Sequence, residues 1–446
     1  MVANEDIKQL EETFNSGKIE EAEKRAKELL KEHEDDARLY YLLGNAQVIK
    51  NDLKNAKENL LKSVSLNSNI PGALNLLGSL FYSEGDFKKA IGYFVKSASL
   101  NPNDDKVYYN LGVCHQEIGD YEKALKFYQK AVQINPKDVK SYYNASLIFL
   151  RKGDYEQGFD LYRLRYHADV PNRPTSLLVP NVPIPKLEGF EDKRVLIYDE
   201  QGLDKTIDFI RFMPLLKEKI GEIVLRVPEP LQKLLSFNYP DITFSFTLDP
   251  NEEMEFDGHF PLLDAGYLLK INKLNIPFKE GYLKVDKEDV ERFKKEHNIK
   301  DSGKNIGIIW KEESDFSPKT TLLQALIEEL KGEGINLYSL QENLSLEEKE
   351  ILEKEGVESI GEDLEDYYDK ASMIANMDRV VGVDTPLTRL SGAMGKKTAL
   401  LLGKKNDWIW GEKDKRSAWY DSISIYKLYD DNYKKTLKKI AKNIKI

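Results

Sequence analysis

At 446 residues the chain is too long for one hydrophobic core and must divide into two or three domains. Its formal charge of −10, with 41% hydrophobic and 32% charged residues, is that of ordinary folded material and argues against nucleic acid as the main partner. No run of roughly 18 apolar residues occurs, so no integral membrane segment is expected, and neither the single cysteine nor the five scattered histidines offers a metal-ligand pattern.

In chain order, residues 1–12 come first, with Glu5, Asp6, Glu11 and Glu12 where a secretory leader has a basic stretch followed by an apolar one. A cytoplasmic location is the expectation. A fixed period then takes over: Gly44, Gly78 and Gly112 are 34 residues apart, each preceded by a leucine (Leu43, Leu77, Leu111). The same offset links Ala56, Ala90 and Ala124, then Leu60, Phe94 and Tyr128, then Pro102 and Pro136. Small residues let the two helices of a hairpin approach, the large residue fills the gap to the next hairpin, and proline ends the second helix. Turns are expected at Asn51-Asp52, Gly85-Asp86, Gly119-Asp120 and Gly153-Asp154. A deviating hairpin around Ala22 precedes these, and another with Phe149 and Tyr162 follows, giving about four and a half hairpins with atypical end units. The pattern is similar to the tetratricopeptide repeat (TPR), which predicts an α-solenoid over residues 1–167. Cys114 falls inside a repeat helix and is expected to pack there.

One position per repeat faces the groove in such arrays, and it is held here by Tyr41, Asn75, Tyr109 and Tyr143, with Tyr82 nearby. Two readings are open. The residues form a strip for a protein or extended peptide, aromatic faces supplying area and Asn75 holding a backbone amide; or the tyrosines half-bury against the neighbouring helix.

Periodicity stops after His167, and residues 168–190 hold Pro171, Pro174, Pro180, Pro183 and Pro185, which predicts an extended linker. Beyond it, β-branched runs alternate with helical stretches. Strands are predicted at 194–198 and 222–227 around a helix at 206–217. After a charged connector at 286–301, further strands are predicted at 305–310, 335–341, 379–383 and 398–402. Two parallel-sheet units follow, over 191–285 and 286–446, with ligands expected at the carboxyl ends of their strands. The lysines of 434–445, interleaved with Ile and Leu, predict the solvated face of a closing helix.

Five segments then carry a resemblance. Asp199-Glu200-Gln201-Gly202-Leu203-Asp204-Lys205-Thr206-Ile207-Asp208-Phe209-Ile210-Arg211-Phe212 resembles the E-Q-G-x-G-D-T-I-Q-F-x-R-Y segment of bacterial TPR proteins whose C-terminal half is similar to the ADP-heptose heptosyltransferases. Residues 158–166 resemble the G-W/Y-x-x-Y-E-x-R-W helix that closes their repeats, and 383–396 resemble V-D-T-A-V-A-H-L-A-G-A-L-G-K. Asp407-Trp408-Ile409-Trp410 and Ser417-Ala418-Trp419-Tyr420 resemble D-W-R-W and S-P-W-Y.

The resemblance implies a GT-B fold, a pair of Rossmann-like α/β domains. The first would hold the acceptor and the second a nucleotide-sugar donor, for a hexosyl- or heptosyl-type glycosyltransferase acting on a protein or glycan, with no cofactor. On that footing Asp204, or else Asp208, is the base, and Gln201, Gly202 and Lys205 lie on the acceptor side. Lys311, Lys319, Thr320, Gln341, Asp384, Thr385, Leu387 and Arg389 would bind the donor. Asp384 and Thr385 end a strand and open a helix, a geometry that suits a pyrophosphate and equally suits a plain helix cap. Lys319 would stabilise the leaving diphosphate.

Three positions depart from the pattern. G-x-G-D becomes Gly202-Leu203-Asp204-Lys205, which puts a cation where the base belongs. Pro386 removes an N–H beside the phosphate turn, and Arg389 replaces histidine. Two functions therefore stand side by side: an active transferase, or a non-catalytic glycosyltransferase-like partner, chaperone or TPR scaffold with a degenerate donor site.

Overall fold

The computed structural model describes residues 4–167, 170, 187–245, 256–312, 319–412, 415–428 and 433–445. It falls into two units: residues 1–148 with the described part of 167–171, and residues 149–166 with the described part of 172–446.

The first unit is built of helical hairpins. Its helices are α1 (Asn4–Asn15), α2 (Ile19–Glu32), α3 (Ala37–Ile49), α4 (Leu53–Leu66), α5 (Pro71–Ser83), α6 (Phe87–Leu100), α7 (Asp105–Glu117) and α8 (Tyr121–Ile134). Then comes α9 (Val139–Lys152), inside which the division between units falls. The hairpin turns need a left-handed residue, which glycine adopts at little cost. Gly85 and Gly119 supply it with φ near +78° and +79°, and Asn51 with +61°. The aspartate that follows then caps the next helix: Asp86 accepts from the Lys89 N–H at 3.1 Å and Asp120 from that of Lys123 at 3.3 Å. Gly17, one period before Asn51, takes φ +80° and marks the turn of the first hairpin.

The repeating glycines are contact points. A Cβ on Gly44 would stand 2.7 Å from Leu60 and one on Gly78 2.5 Å from the Phe94 ring, so the large residue covers the glycine of its own hairpin. Leu60 and Phe94 also join Ala73, Leu77, Val107 and Leu111 in one core that runs from hairpin to hairpin. Ser63 and Ser97 add a second tie at the same period, donating to the Ala37 and Pro71 carbonyls at 2.7 and 3.0 Å.

The second unit opens with α10 (Tyr155–Tyr162), whose Gly158 packs on Leu150. The expected domain boundary after His167 therefore lies later in the chain than the division made by packing. Of the expected linker at 168–190, all but Val170 and 187–190 lies outside the described residues.

A four-stranded parallel sheet follows in the order β3-β2-β1-β4, from β1 (Arg194–Tyr198), β2 (Glu222–Arg226), β3 (Thr243–Ser245) and β4 (Gly258–Pro261). Helix α11 (Leu203–Phe209), a 3-10 turn and α12 (Met213–Lys217) connect β1 to β2. Next come α13 (Gln232–Asn238) and α14 (Ala265–Leu268). The charged connector expected at 286–301 is mostly α15 (Lys287–Glu296), capped by Asp286 and anchored by buried Phe293. Its charges point outward, which is why they resembled a loop in sequence.

The second sheet has six parallel strands in the order β10-β9-β8-β5-β6-β7. They are β5 (Lys304–Ile309), β6 (Ile335–Ser339), β7 (Glu358–Ser359), β8 (Arg379–Val383), β9 (Thr398–Leu402) and β10 (Ile423–Lys427). The predicted strands agree to within two residues; β3, β4, β7 and β10 were not predicted. The helices are α16 (Thr320–Leu330), α17 (Leu346–Glu355), α18 (Tyr367–Ala375), α19 (Pro386–Ala393) and α20 (Tyr433–Lys445). Ile306, Ile308, Val381 and Leu401 of the sheet pack under α16 and α20, where Leu437, Ile440 and Ile444 are buried and Lys434, Lys435, Lys438, Lys439 and Lys442 stay outside. No helix among the described residues is long and apolar enough to cross a membrane.

Candidate functional site

Strand β1 ends in a tight turn. Gln201 takes φ +60° and Gly202 φ +91° before α11 begins, and the strain at Gln201 is offset by a 2.7 Å hydrogen bond from the Tyr162 hydroxyl to its Oε1. Helix α11 then turns Lys205, Thr206 and Asp208 inward. In the other sheet, β8 ends at Val383, Asp384 follows it, and Thr385 caps α19 by accepting from the Thr388 N–H at 3.2 Å, with Pro386 opening the helix. Helices α11 and α19 pack together, and their polar side chains meet.

Arg389 is the hub. Its Nε donates to Asp384 at 3.0 Å, and its Nη2 donates to Asp384 and to Asp407, each at 3.1 Å. Its Nη1 pairs with Asp208, whose other oxygen accepts from the Tyr420 hydroxyl at 2.6 Å. Lys205 pairs with Asp407 and sits 4.9 Å above the Trp408 ring. Trp410 Nε1 donates to Asp384 at 2.7 Å. The network continues through the Tyr420 and Tyr282 hydroxyls, 3.1 Å apart, to buried Arg211, which donates to the Trp419 carbonyl at 2.6 Å.

The cations of this cluster are fully countered: against Lys205, Arg211 and Arg389 stand Asp208, Asp384 and Asp407, with Asp204 a fourth carboxylate at the rim. Burial drives the Asp208 carboxyl up, against the pull of Arg389 and Lys205. At Asp407 burial also pushes upward, but Lys205 and Arg389 outweigh it and hold the group well below the usual carboxylate range. Asp204 lies at the rim, 40% exposed and 3.9 Å from Arg389. Asp208, expected as an alternative base, has both oxygens engaged and no exposure.

The expected donor residues divide between this cluster and another. Asp384, Thr385, Leu387 and Arg389 belong with α19. Lys311 and Gln341 form a separate buried group at the ends of β5 and β6. Lys311 Nζ, with 0% exposure, contacts Glu348 at 2.7 Å and the Asn343 carbonyl at 2.9 Å. Glu348 also accepts from Trp310 Nε1 at 2.8 Å and from the Ser345 and Lys319 N–H groups at 2.9 and 3.2 Å. Burial opposes its ionisation, yet these donors bring its pKa down to about 2. Gln341 Oε1 accepts from the N–H groups of Trp310 and Lys311, both at 3.1 Å, and so ties β5 to β6. Lys311 and Gln341, expected on the donor side, are thus engaged with the chain itself. Lys319 and Thr320 stand at the start of α16, and residues 313–318 of the preceding loop lie outside the described residues.

A third group joins the 3-10 turn Arg163–Tyr166, which follows α10, to the end of β1. Arg165 Nε donates to Glu200 at 3.0 Å and its Nη2 to Asp264 at 2.6 Å, while the Tyr166 hydroxyl donates to Glu200 at 2.8 Å. Asp264 Oδ2 is buried with no hydrogen-bond partner among the described residues, and burial pushes this carboxyl up to about 6. Sequence reasoning missed Glu200, Arg165, Asp264, Glu348, Asp407 and Tyr420 as polar partners. Glu200, Arg165, Asp407 and Tyr420 stood inside quoted segments, and for Asp407 and Tyr420 the signal was their charge or hydroxyl beside tryptophans.

In the repeats, Tyr41, Asn75, Tyr82, Tyr109 and Tyr143 are all half-buried. Tyr41 lies against Gly72, where an added Cβ would stand 2.5 Å from its hydroxyl. The Tyr109 ring is 6.1 Å from that of Tyr128, and that of Tyr82 is 5.5 Å from Phe87. Asn110 Nδ2 donates to Asn75 Oδ1 at 3.3 Å.

Tetratricopeptide-repeat family models match residues 37–70, 71–104, 105–138 and 127–159, so this stretch consists of TPR repeats. No curated protein matches the chain. Similar solved structures include MamA residues 41-end from Desulfovibrio magneticus RS-1, 23% identical with a TM-score of 0.33, covering 38% of this chain and 99% of that one. YrrB, described as a TPR protein with an unusual peptide-binding site, is 22% identical with a TM-score of 0.33, covering 36% of this chain and 84% of that one. Pseudomonas aeruginosa pilF is 18% identical with a TM-score of 0.34, covering 36% and 73%.

Proposed function

We propose that this chain is a protein-interaction scaffold whose TPR groove takes an extended protein or peptide segment, and whose α/β unit is a glycosyltransferase-like module that does not transfer sugar. The observation that carries the second half is the saturation of Arg389 and Lys205 by Asp208, Asp384 and Asp407. A nucleoside diphosphate is held by cations and free N–H groups. Here the cations are already neutralised, and a diphosphate would have to displace carboxylates that then stay buried without a partner. Breaking a buried pair in this way costs about 3–5 kcal/mol.

The test is a thermal-shift screen of the whole protein against ADP, UDP, GDP, CDP and their common sugar conjugates. A bound ligand at about 100 times its dissociation constant adds roughly 2.7 kcal/mol, which is several degrees for a domain of this size. No shift with any of them is the expected result. A clear shift with one nucleotide would overturn the non-catalytic reading.

One observation favours the other reading. Asp204 is the partly exposed carboxylate at the rim of the cluster, where an acceptor hydroxyl could reach it. On that reading the chain passes a sugar from a nucleotide-sugar to a protein or glycan held by the repeats, with Asp204 as base. Asp204→Asn would then abolish transfer and leave the nucleotide shift intact.

A further inference from the structure

The repeats carry two sets of lysines, and the fold uses only one of them. Lys57, Lys89 and Lys123 are paired with Glu84, Asp86 and Asp120 at 2.6, 2.7 and 2.8 Å. Lys62, Lys96 and Lys130 recur 34 residues apart on α4, α6 and α8; all three are exposed, and none forms an ion pair among the described residues. Leu61 and Val95 precede the first two at the same period, 39% and 51% exposed. The nearby Ser65 and Ser99 hydroxyls turn back onto the Lys62 and Lys96 carbonyls, both at 2.7 Å, so the ammonium groups are what this face offers.

These lysines form a ladder, one rung per hairpin, on the second helix of each, whereas Tyr41, Asn75 and Tyr109 stand on the first. Lys54, Lys88 and Lys126 are exposed on the same helices, opposed by Glu58 and Glu122, so the face is positive on a chain whose net charge is −10. The exposed positions of α4, α6 and α8 hold no arginine and no aromatic residue, the side chains that bidentate phosphate binding and base stacking call for. Carboxylates suit lysine point charges, and Leu61 and Val95 call for apolar side chains between them.

We propose that the outer face of α4, α6 and α8 docks an acidic segment of a partner protein, its carboxylates meeting Lys62, Lys96 and Lys130 and its apolar side chains covering Leu61 and Val95. This surface is distinct from the groove and does not rest on the groove reading. Helices in contact stand about 8–10 Å apart, and farther where they fan, a distance that extended chain spans in about three to four residues. The segment therefore carries a carboxylate at every third or fourth position.

The test uses the full chain and fluorescein-labelled, amidated dodecapeptides with glutamate at every third or every fourth position and leucine and serine between, read by anisotropy at about 50 mM salt. At least one glutamate peptide should bind, and its glutamine counterpart should not. Lys62→Glu, Lys96→Glu and Lys130→Glu should each weaken binding about three- to tenfold, and Leu61→Ser with Val95→Ser about two- to fivefold. Lys106→Glu on α7 and Tyr109→Ala should leave it unchanged, and about 500 mM salt should weaken it at least tenfold. Melts by circular dichroism check folding, with Lys96→Gln as the milder substitution at the middle rung. The proposal is overturned if no glutamate peptide binds, or if binding ignores the ladder substitutions. It is equally overturned if an oligothymidylate or phosphatidylserine vesicles bind the ladder more tightly than the peptide does, or if the ladder substitutions abolish self-association of the chain in sedimentation, which would make the occupant a nucleic acid, a membrane or a second copy.

Discussion

Arg389 and Asp208 stand 181 residues apart in the chain and form an ion pair with side-chain exposures of 1% and 0%. Asp208 lies on α11, which follows the first sheet's β1, and Arg389 on α19, which follows the second sheet's β8. The pair therefore fastens one sheet's helices to the other's. Arg389→Ala would leave Asp208, Asp384 and Asp407 sharing Lys205, and should lower the unfolding free energy of the α/β unit by about 3–5 kcal/mol. Denaturant melts followed by tryptophan fluorescence report this unit, since all four tryptophans lie in it. A loss below about 1 kcal/mol would remove the pair's fastening role.

The Asp264 carboxyl makes stability depend on pH. Its folded pKa is raised from the ordinary 3.8 to about 6, so its contribution is fully present below the unfolded pKa and is lost as pH rises through the folded one. Asp264→Asn keeps an acceptor for Arg165 and removes the charge. The variant should gain on the parent by about 1–3 kcal/mol between pH 4 and pH 7. Parallel stability curves over that range would contradict it.

Glu348 shows the opposite sign. Its folded pKa is lowered from 4.5 to about 2, so the stability it brings is present above pH 4.5 and is lost as pH falls through 2. Glu348→Gln leaves the Lys311 ammonium buried without a counter-ion and should cost about 3–5 kcal/mol at neutral pH. An acid-melt profile unchanged by the substitution would show that the pair is not formed.

Two glycines in the repeats should respond in opposite directions to the same change. Gly112→Ala drives a methyl into the Tyr128 ring and should destabilise by about 1–3 kcal/mol. Gly92, within α6, has nothing within 4 Å of an added Cβ, and Gly92→Ala should stabilise by about 0.5–1 kcal/mol. Helical melts by circular dichroism compare the two.

The repeats were legible because their rule is local. Each hairpin meets the same packing problem, so Gly44, Gly78 and Gly112 recur at one period, and the Gly-Asp turns combine a left-handed residue with a helix cap in two adjacent letters. Strands β1, β8 and β9 were legible as short apolar runs buried on both faces. Strand β4, with Gly258 and Pro261, and the two-residue β7 carry too few β-forming residues to be seen. Helix α15 was hidden by its own solvent face, where only Phe293 marks the buried side.

Thus the sequence by itself determined the repeats, most of the sheet and the positions at the strand ends, since helix period, strand composition and turn chemistry act between residues close in the chain. What only the tertiary structure decided is the partner of each charge. Lys205 reads alone as a misplaced base and Arg389 as a phosphate ligand; Asp407 and Asp208 become their counter-ions only once two separate sheets bring α11 and α19 together. A charge carries no sign in sequence of what will neutralise it, because the Coulomb attraction that pairs buried groups depends on distance in space and on the loss of water around them.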